Sequence, residues 1–196
     1  MGQTLWADKT IDGKSSDRAL HTLIFDDPEC RPFYYKNGKS FKDYHKEGEI
    51  FWHKYVTYTE GMSDYWDYSF FNVSVIRYAD VLLLYAECLN DKGETTEAIN
   101  IINKVRARVN VPALPLTMSK AEVLKHLQDK ERPCELALEG SRWYDLVRWG
   151  IVEETLKAHN KPFVENYVDT KHQLFPIPHS EFLLNPDWEQ NPNYSK

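Results

Sequence analysis

The chain has 196 residues, of which 42% are hydrophobic, 28% charged and 14% aromatic, so it is long enough to form a globular domain with a sizeable core. Its formal net charge is −6 at pH 7. No cluster of Lys and Arg offers the basic patch that phosphate binding needs, which argues against a nucleic-acid ligand. No apolar run reaches the length of about 18 residues that a transmembrane helix requires.

The first 74 residues are expected to form an irregular, aromatic-rich segment. Residues 49–58, EIFWHKYVTY, are rich in β-branched and aromatic side chains and are compatible with a short strand. Residues 63–71, SDYWDYSFF, are predicted to form an aromatic loop. Tyr65, Trp66 and Tyr68 are its candidate ligand-binding residues, because loops often carry binding side chains and sugar rings stack on aromatic faces. The alternative is that these rings pack into the core, as most large aromatics do.

Residues 75–110 are predicted to form a helical hairpin. Residues 77–90, RYADVLLLYAECLN, make a helix that is apolar on nearly every side, which predicts burial on most sides. Gly93 marks its end, and apolar residues then recur every three or four positions through residue 109. The hairpin is similar to a tetratricopeptide repeat, whose single unit cannot bury both faces, so we expect it to pack on other helices.

The remaining chain is predicted to contain a long kinked helix over residues 119–149 and an extended strap over 172–196. Ser119 and Glu122 match a capping box at the start of that helix. Pro133 predicts a kink, or a break after which it occupies the first turn of a new helix. The strap combines four prolines with apolar side chains, which indicates an extended segment lying over the helices. The predicted fold class is therefore mainly α, with a second region spanning residues 75–196.

Charged residues in the first predicted helix suggest ion pairs. Arg77, Asp80 and Glu87 follow at steps of three and seven, which places them on one face. Because a buried carboxylate normally needs a partner, structural pairing with an arginine is the favoured interpretation. The candidate partners are Arg106, Arg108 and Arg132. The rival hypothesis is a glycosidase using Asp80 and Glu87, which lie about 10 Å apart along the helix axis.

A second set of charges lies in residues 135–150, ELALEGSRWYDLVRWG. Glu139 and Arg142 are three positions apart, as are Asp145 and Arg148, so each pair can form along one helix ridge. A ligand-facing arginine is the alternative. Catalysis has no support there, because neither a nucleophile beside a base nor an oxyanion loop accompanies these residues.

The sequence contains no recognisable catalytic, metal or cofactor motif. The seven histidines show no HExxH spacing, and no phosphate-binding glycine loop is present, so no catalytic residue, metal or cofactor is predicted. Cys88 and Cys134 lie in apolar helical contexts and are expected to be buried thiols.

Four ordered blocks carry a family resemblance. They are VIRYADVLLLYAECLN, AINIINKVRARVNVP, ERPCELALEGSRWYDLVRWG and LFPIPHSEFLLNPDWEQNPNY. Their order and spacing between residues 75 and 194 resemble the C-terminal part of the SusD/RagB family, which comprises outer-membrane nutrient-binding lipoproteins of Bacteroidetes. The pattern EG-x-R-W-x-D-L-x-R-W-G and the terminal N-P-x-x-x-Q-N-P-x-Y are its most specific elements.

The resemblance implies a mainly helical protein that captures oligosaccharide at the cell surface and delivers it to a SusC-like TonB-dependent transporter. It implies binding without catalysis and without a cofactor. Members attach to the outer membrane through a lipidated N-terminal cysteine. Because residues MGQTLWADKT lack a signal peptide and a lipidation site, we expect the chain to correspond to a C-terminal portion, with membrane contact only through an anchor it lacks. The alternative function is a tetratricopeptide-like protein-interaction scaffold without glycan binding.

Overall fold

The computed structural model describes residues 5–27, 40–55 and 74–195. The prediction of a mainly helical fold is confirmed. The helices are α1 (Asp17–Thr22), α2 (Tyr78–Asp91), α3 (Thr95–Arg108), α4 (Lys120–His126), α5 (Arg132–Glu135), α6 (Ser141–Trp149), α7 (Val152–Ala158), α8 (Asp169–His172) and α9 (His179–Leu184). Two short strands, β1 (Leu23–Ile24) and β2 (Phe51–Trp52), pair antiparallel with Leu23 opposite Trp52.

The chain divides into two compact units, Met1–Ser141 and Arg142–Lys196. The boundary that the sequence suggested between residues 74 and 75 stays a prediction. Within the first unit, the N-terminal segment shares a hydrophobic core with the region after the hairpin. The members of this core are Leu5, Ala19, Leu23, Phe25, Cys134 and Ala137.

Helices α2 and α3 form an antiparallel hairpin at the centre of the first unit. Gly93 ends α2 with a φ of +90°, a conformation that glycine adopts without steric cost, and the Glu94 N–H donates to the Leu89 carbonyl at 2.9 Å. Asn90 is buried and joins the hairpin to the next helix. Its Nδ2 donates to the Lys120 carbonyl at 2.9 Å, and its Oδ1 accepts from the Thr95 hydroxyl.

Helix α2 is buried on one face only, which corrects the prediction of burial on most sides. The buried face packs into the hairpin core through Leu83, Ala86 and Leu89. The opposite face stays exposed and carries Tyr78, Val81, Leu84, Tyr85 and Cys88. The uniform apolar pattern did not reveal this, because it contains no polar stripe to mark the outer side.

The long helix predicted for residues 119–149 is interrupted. The capping box forms, since the Ser119 N–H donates to Glu122 Oε2 at 2.7 Å. Helix α4 continues through a π-helical turn, Leu127–Glu131, into α5, where Pro133 occupies the first turn. The chain then leaves the helix, because Leu138 and Gly140 adopt φ values of +64° and +79°, and α6 begins afresh at Ser141.

In the described residues 5–27 and 40–55, the N-terminal part of the first unit contains α1, a 3-10 turn and two short strands. The strand suggested within residues 49–58 is reduced to Phe51 and Trp52 in β2, and residues 56–58 lie outside the described residues. Strand β2 pairs with β1, which also has two residues.

The second unit has its own small core, formed by Leu146, Val152 and Leu156. The strap over 172–196 is not wholly extended, because α9 follows Pro178 directly. A proline just before a helix is compatible with it, since its missing N–H would be unpaired there anyway. Several apolar side chains of the strap remain exposed. They are Leu174, Phe175, Leu183 and Leu184.

The cysteine prediction was half right. Cys134 is buried, and burial raises the pKa of its thiol to about 12. Cys88 is exposed on the outer face of α2. In the parts of the chain that the structure describes, no helix is both long and apolar enough to cross a membrane.

Candidate functional site

Arg77 and Asp80, the first predicted ion-pair residues, contact the region that follows the hairpin. The Arg77 Nε donates to Glu139 Oε2 at 2.7 Å, and its Nη1 and Nη2 each lie 3.1 Å from Glu135 Oε1. Asp80 Oδ1 lies 2.8 Å from Nη1 of Arg132, one of the three arginines named as candidate partners. Glu87 lies half-buried on α2.

A cluster of buried charges, which we call the Glu131 cluster, lies between α1, α3 and α4. Glu131 is fully buried and accepts hydrogen bonds of 2.6 Å from Arg18 Nη1 and 2.6 Å from Arg106 Nη1. His126 Nε2 lies 2.9 Å from the same carboxylate. Burial alone would raise the pKa of Glu131, but the His126 hydrogen bond and the two arginine charges outweigh it and lower the pKa to about 2.

Two further carboxylates extend these contacts towards the surface. Glu135 is bound by Arg77 and by Arg108 Nη2, the latter at 2.6 and 2.8 Å. Glu139 is bound by Arg77 and by the Lys54 ammonium group. Burial favours a raised pKa for Glu139, but the hydrogen bonds from Arg77 and Lys54 lower it instead. The contacts tie the irregular turn after α5 to segments more than 50 residues earlier in the chain.

Apart from the Asp80–Arg132 pair, most pairing between residues distant in sequence escaped the sequence interpretation. Glu139 is bound by Arg77 and Lys54, neither of which the helical spacing indicated, and its pairing with Arg142 stays a prediction. Glu131 and Arg18 were not proposed at all. The available signal was the four-residue spacing of Glu131 and Glu135, which is typical of two side chains on one helical face.

The pair predicted between Asp145 and Arg148 lies within the second unit. Asp145 is buried, and its Oδ1 accepts from Arg148 Nε at 3.0 Å. The Arg148 guanidinium also lies 4.4 Å from the ring centroid of Trp149, which adds a cation–π contact. These contacts order the surface of α6 without creating a reactive group.

A partly exposed group of rings, which we call the aromatic cluster, lies beside β2. It comprises Phe41, Tyr44, His45 and Phe51. The His45 ring centroid lies 4.4 Å from that of Phe51 and 6.5 Å from that of Tyr44. Phe41 is buried and its ring centroid lies 4.8 Å from that of His45, so it supports the outer rings. Tyr44 is 56% exposed and Phe51 39% exposed, which leaves aromatic surface available to a ligand.

The sequence placed the candidate binding aromatics elsewhere. Tyr65, Trp66 and Tyr68 lie outside the described residues, so their role stays a prediction. The sequence analysis did not propose Tyr44 and Phe51 as binding residues. A 3-10 turn with a capping box at Ser40 and Asp43 precedes them and fixes the local backbone. The detectable signal was the alternation of aromatic and turn-forming residues in FKDYHKEGEIFW.

A cavity of about 610 Å³ opens beside the start of α2 and the second half of α3. Its lining combines apolar side chains with three cations. The residues are Ser74, Ile76, Arg77, Tyr78, Ala79, Leu82, Lys104, Val105 and Arg108. Its size falls within the range of small-molecule sites. Among the described residues, no group of three or more His, Cys, Asp or Glu side chains could hold a metal ion.

Comparison with known proteins identifies the family. The SusD family model matches residues 32–194. The chain belongs to the SusD family. Two SusD-like proteins of Formosa agariphila are 37% and 31% identical to it, each over 63% of this chain. The chain spans about a quarter of their length, 25% and 26% respectively.

Solved structures agree with this assignment. A SusD superfamily protein from Bacteroides vulgatus is 30% identical and superposes with a TM-score of 0.80, covering 98% of this chain and 42% of its own. A SusD homologue from Bacteroides thetaiotaomicron is 34% identical, with a TM-score of 0.53 over 68% of this chain and 30% of its own. The irregular N-terminal part of this SusD-family chain therefore has a structural counterpart in the first relative.

Proposed function

We propose that this chain forms part of a SusD-like lipoprotein of the outer membrane that captures oligosaccharide at the cell surface and delivers it to a SusC-like TonB-dependent transporter. Family membership across residues 32–194 supports the glycan-binding role. The observation that carries the assignment to this chain is the partly exposed aromatic cluster on a supported backbone. Sugar rings present flat apolar faces that suit such aromatic surfaces.

The proposed ligand surface consists of Tyr44, His45 and Phe51. Buried Phe41 and the β1–β2 pairing hold these rings, so little conformational entropy is lost when a sugar docks. Tyr65 and Trp66, together with Tyr68, are proposed to extend the surface. No cofactor is needed for binding of this kind.

The carboxylates favour binding over glycoside hydrolysis. A general acid for that reaction needs a raised pKa. Asp80 is bound by Arg132, whereas Glu131 and Glu139 have lowered pKa values, so each of these groups is suited to an ion pair. We therefore propose a binding protein that does not act as an enzyme.

Calorimetric titration of the 196-residue chain with a panel of oligosaccharides tests the proposal. Tyr44→Ala and Phe51→Ala are each expected to weaken binding of the best ligand by about tenfold, which corresponds to roughly 1.4 kcal/mol. Tyr144→Ala is the matched control, because Tyr144 is an equally exposed tyrosine in the second unit. Absence of binding to every oligosaccharide, or equal losses in all three variants, would contradict the proposed surface.

Transporter delivery requires a separate test. Co-expression of the chain with a SusC-like transporter from the same organism, followed by co-purification in detergent, is expected to yield a stable complex. Recovery of the transporter without this chain, under conditions in which oligosaccharide binding is intact, would restrict the function to capture.

The exposed face of α2 favours a second candidate function, a protein-interaction scaffold without glycan binding. Tyr85 is 52% exposed in the middle of this apolar face, which could bind the transporter directly. Tyr85→Glu would then abolish co-purification, while no oligosaccharide would bind the unmodified chain. Oligosaccharide binding that depends on Tyr44 would exclude this alternative.

A further inference from the structure

We propose that the cavity beside the start of α2 binds the anionic group of an acidic sugar, such as the carboxylate of a uronic acid residue. This inference rests on the proposed glycan-binding function and adds the chemical class of the ligand. We call this site the cationic cavity. It lies in the first unit and is defined by the lining residues given above.

The charge of the lining is uniformly positive. Arg77, Lys104 and Arg108 all line the cavity, and none of its described lining residues is acidic. Glu135 and Glu139 partly offset the charges of the two arginines, so the net positive potential of this concave surface comes mainly from Lys104. A neutral sugar would gain little from this arrangement, whereas an anionic one would gain a charge-assisted hydrogen bond.

The three cations differ in how much bonding capacity they retain. Arg77 uses all of its guanidinium nitrogens on Glu135 and Glu139, so it has no free donor and its charge is balanced by theirs. Arg108 binds Glu135 through Nη2 alone, and more than half of its side chain is exposed. Lys104 is exposed and makes no hydrogen bond or ion pair with any residue in the described ranges. Its ammonium group is therefore the principal donor available to a ligand.

The start of α2 adds a second source of positive potential. Tyr78 and Ala79, its first two residues, both line the cavity, and the N-cap residue Arg77 makes no side-chain capping bond. The first N–H groups of a 14-residue helix favour a nearby anion. Asp80, the acidic residue of this turn, is already paired with Arg132, so its charge does not cancel the effect.

Apolar side chains also line the cavity and suit the body of a sugar ring. Ile76, Leu82 and Val105 provide aliphatic surface, and Tyr78 provides an aromatic face. A few polar groups within a mostly apolar lining are typical of small-molecule sites. The proposed ligand is a pyranose whose ring contacts the apolar side chains and whose charged substituent binds Lys104 and Arg108.

The test uses the 196-residue chain and two matched ligands, namely an oligosaccharide of uronic acid residues and its carboxyl-reduced neutral analogue. Calorimetry at low ionic strength is expected to show at least about tenfold tighter binding of the acidic ligand. Lys104→Gln removes this preference, whereas Lys104→Arg retains it. Lys130→Gln is the control, because Lys130 is exposed and also makes no ion pair in the described part of the chain. A sulfated neutral oligosaccharide distinguishes a sulfate ester from a carboxylate as the bound anion.

Equal affinity for the acidic and reduced ligands, or identical behaviour of Lys104→Gln and Lys130→Gln, would overturn the inference. If Tyr44→Ala weakens both ligands while Lys104→Gln affects neither, glycan capture stands and only the cationic cavity is refuted. If no carbohydrate binds, the proposed function and this inference both fail. Added salt should reduce the preference for the acidic ligand, since the cations are partly exposed and screened.

Discussion

The two units are stabilised by different kinds of polar interaction. In the first unit, fully buried Glu131 joins Arg18 and Arg106, which are contributed by helices far apart in the chain. In the second unit, neutral side-chain amides bind the backbone of the strap. Gln190 accepts from the Ile177 N–H at 2.8 Å and donates to the Ile177 carbonyl at 2.9 Å.

The two arrangements differ in how strongly their stability depends on the surrounding residues. A buried charge cluster needs every partner in place, because each unpaired ion would carry a large desolvation penalty. Amide–backbone bonds at a partly exposed strap can be replaced by water at small cost. The first unit should therefore be sensitive to single changes and to acid, whereas the second should respond locally and weakly.

Removal of the central carboxylate should have the largest effect. Glu131→Gln leaves the Arg18 and Arg106 charges without their buried counter-ion, so we expect a loss of about 3–5 kcal/mol in the free energy of unfolding. Urea denaturation followed by circular dichroism measures this loss. Asp129→Asn is the control, because it breaks an exposed pair with Lys125 in the same segment and should cost about 0.5 kcal/mol or less. A loss below about 1 kcal/mol for Glu131→Gln would contradict the central role of the cluster.

Acid should weaken the same cluster in a defined range. The pKa of Glu131 is lowered from 4.5 to about 2, so its contribution is complete above about pH 4.5 and is lost as the pH falls towards 2. The full contribution corresponds to roughly 3 kcal/mol. The difference in unfolding free energy between the unmodified chain and Glu131→Gln should consequently shrink between these pH values. A difference that stays constant down to about pH 2 would show that this carboxylate is not the titrating group.

Gln190→Ala should have the smallest and most local effect. It removes both hydrogen bonds to Ile177 and should cost about 1–2 kcal/mol within the strap. Amide hydrogen exchange at Ile177 should accelerate by about tenfold while exchange in α3 is unchanged. Gln173→Ala removes a bond to the exposed Asp169 side chain and serves as the control. Acceleration throughout the chain would mean that the second unit supports the whole fold rather than its own strap.

The terminal family pattern acquires a structural explanation from these contacts. Its Gln190, Asn191 and Tyr194 all bind backbone groups of the preceding LFPIP segment. The Asn191 Nδ2 donates to the Phe175 carbonyl at 2.6 Å, and the Tyr194 hydroxyl donates to the Leu174 carbonyl at 3.1 Å. The two prolines of that segment have no N–H to contribute, so its carbonyl groups need donors from elsewhere.

Local features of the fold could be predicted from the sequence. Gly93 and the Ser119–Glu122 capping box act within one helical turn, and both appear as expected. The break after α5 could not be predicted in this way. Leu138 adopts a left-handed backbone conformation that its own side chain disfavours, so local propensity opposes this turn. The neighbouring Glu139 is bound by Arg77 and Lys54, which lie far earlier in the chain.

The candidate binding surfaces also combine features that the sequence predicts with features that only the tertiary structure shows. Aromatic composition indicated sugar binding in general, but exposure decides which rings are accessible, and Tyr44 and Phe51 were identified only from the tertiary structure. The cationic cavity likewise brings Arg77 together with Lys104 and Arg108, which lie 27 and 31 residues further along the chain.

The sequence by itself determined the helix-rich class, the hairpin, its caps and the family, because these depend on apolar spacing, local hydrogen bonds and ordered motifs. Only the tertiary structure decided which face of α2 is buried, which arginine binds which carboxylate and where the long helix ends. Those outcomes depend on interactions between residues far apart in the chain, whose energies no local pattern records.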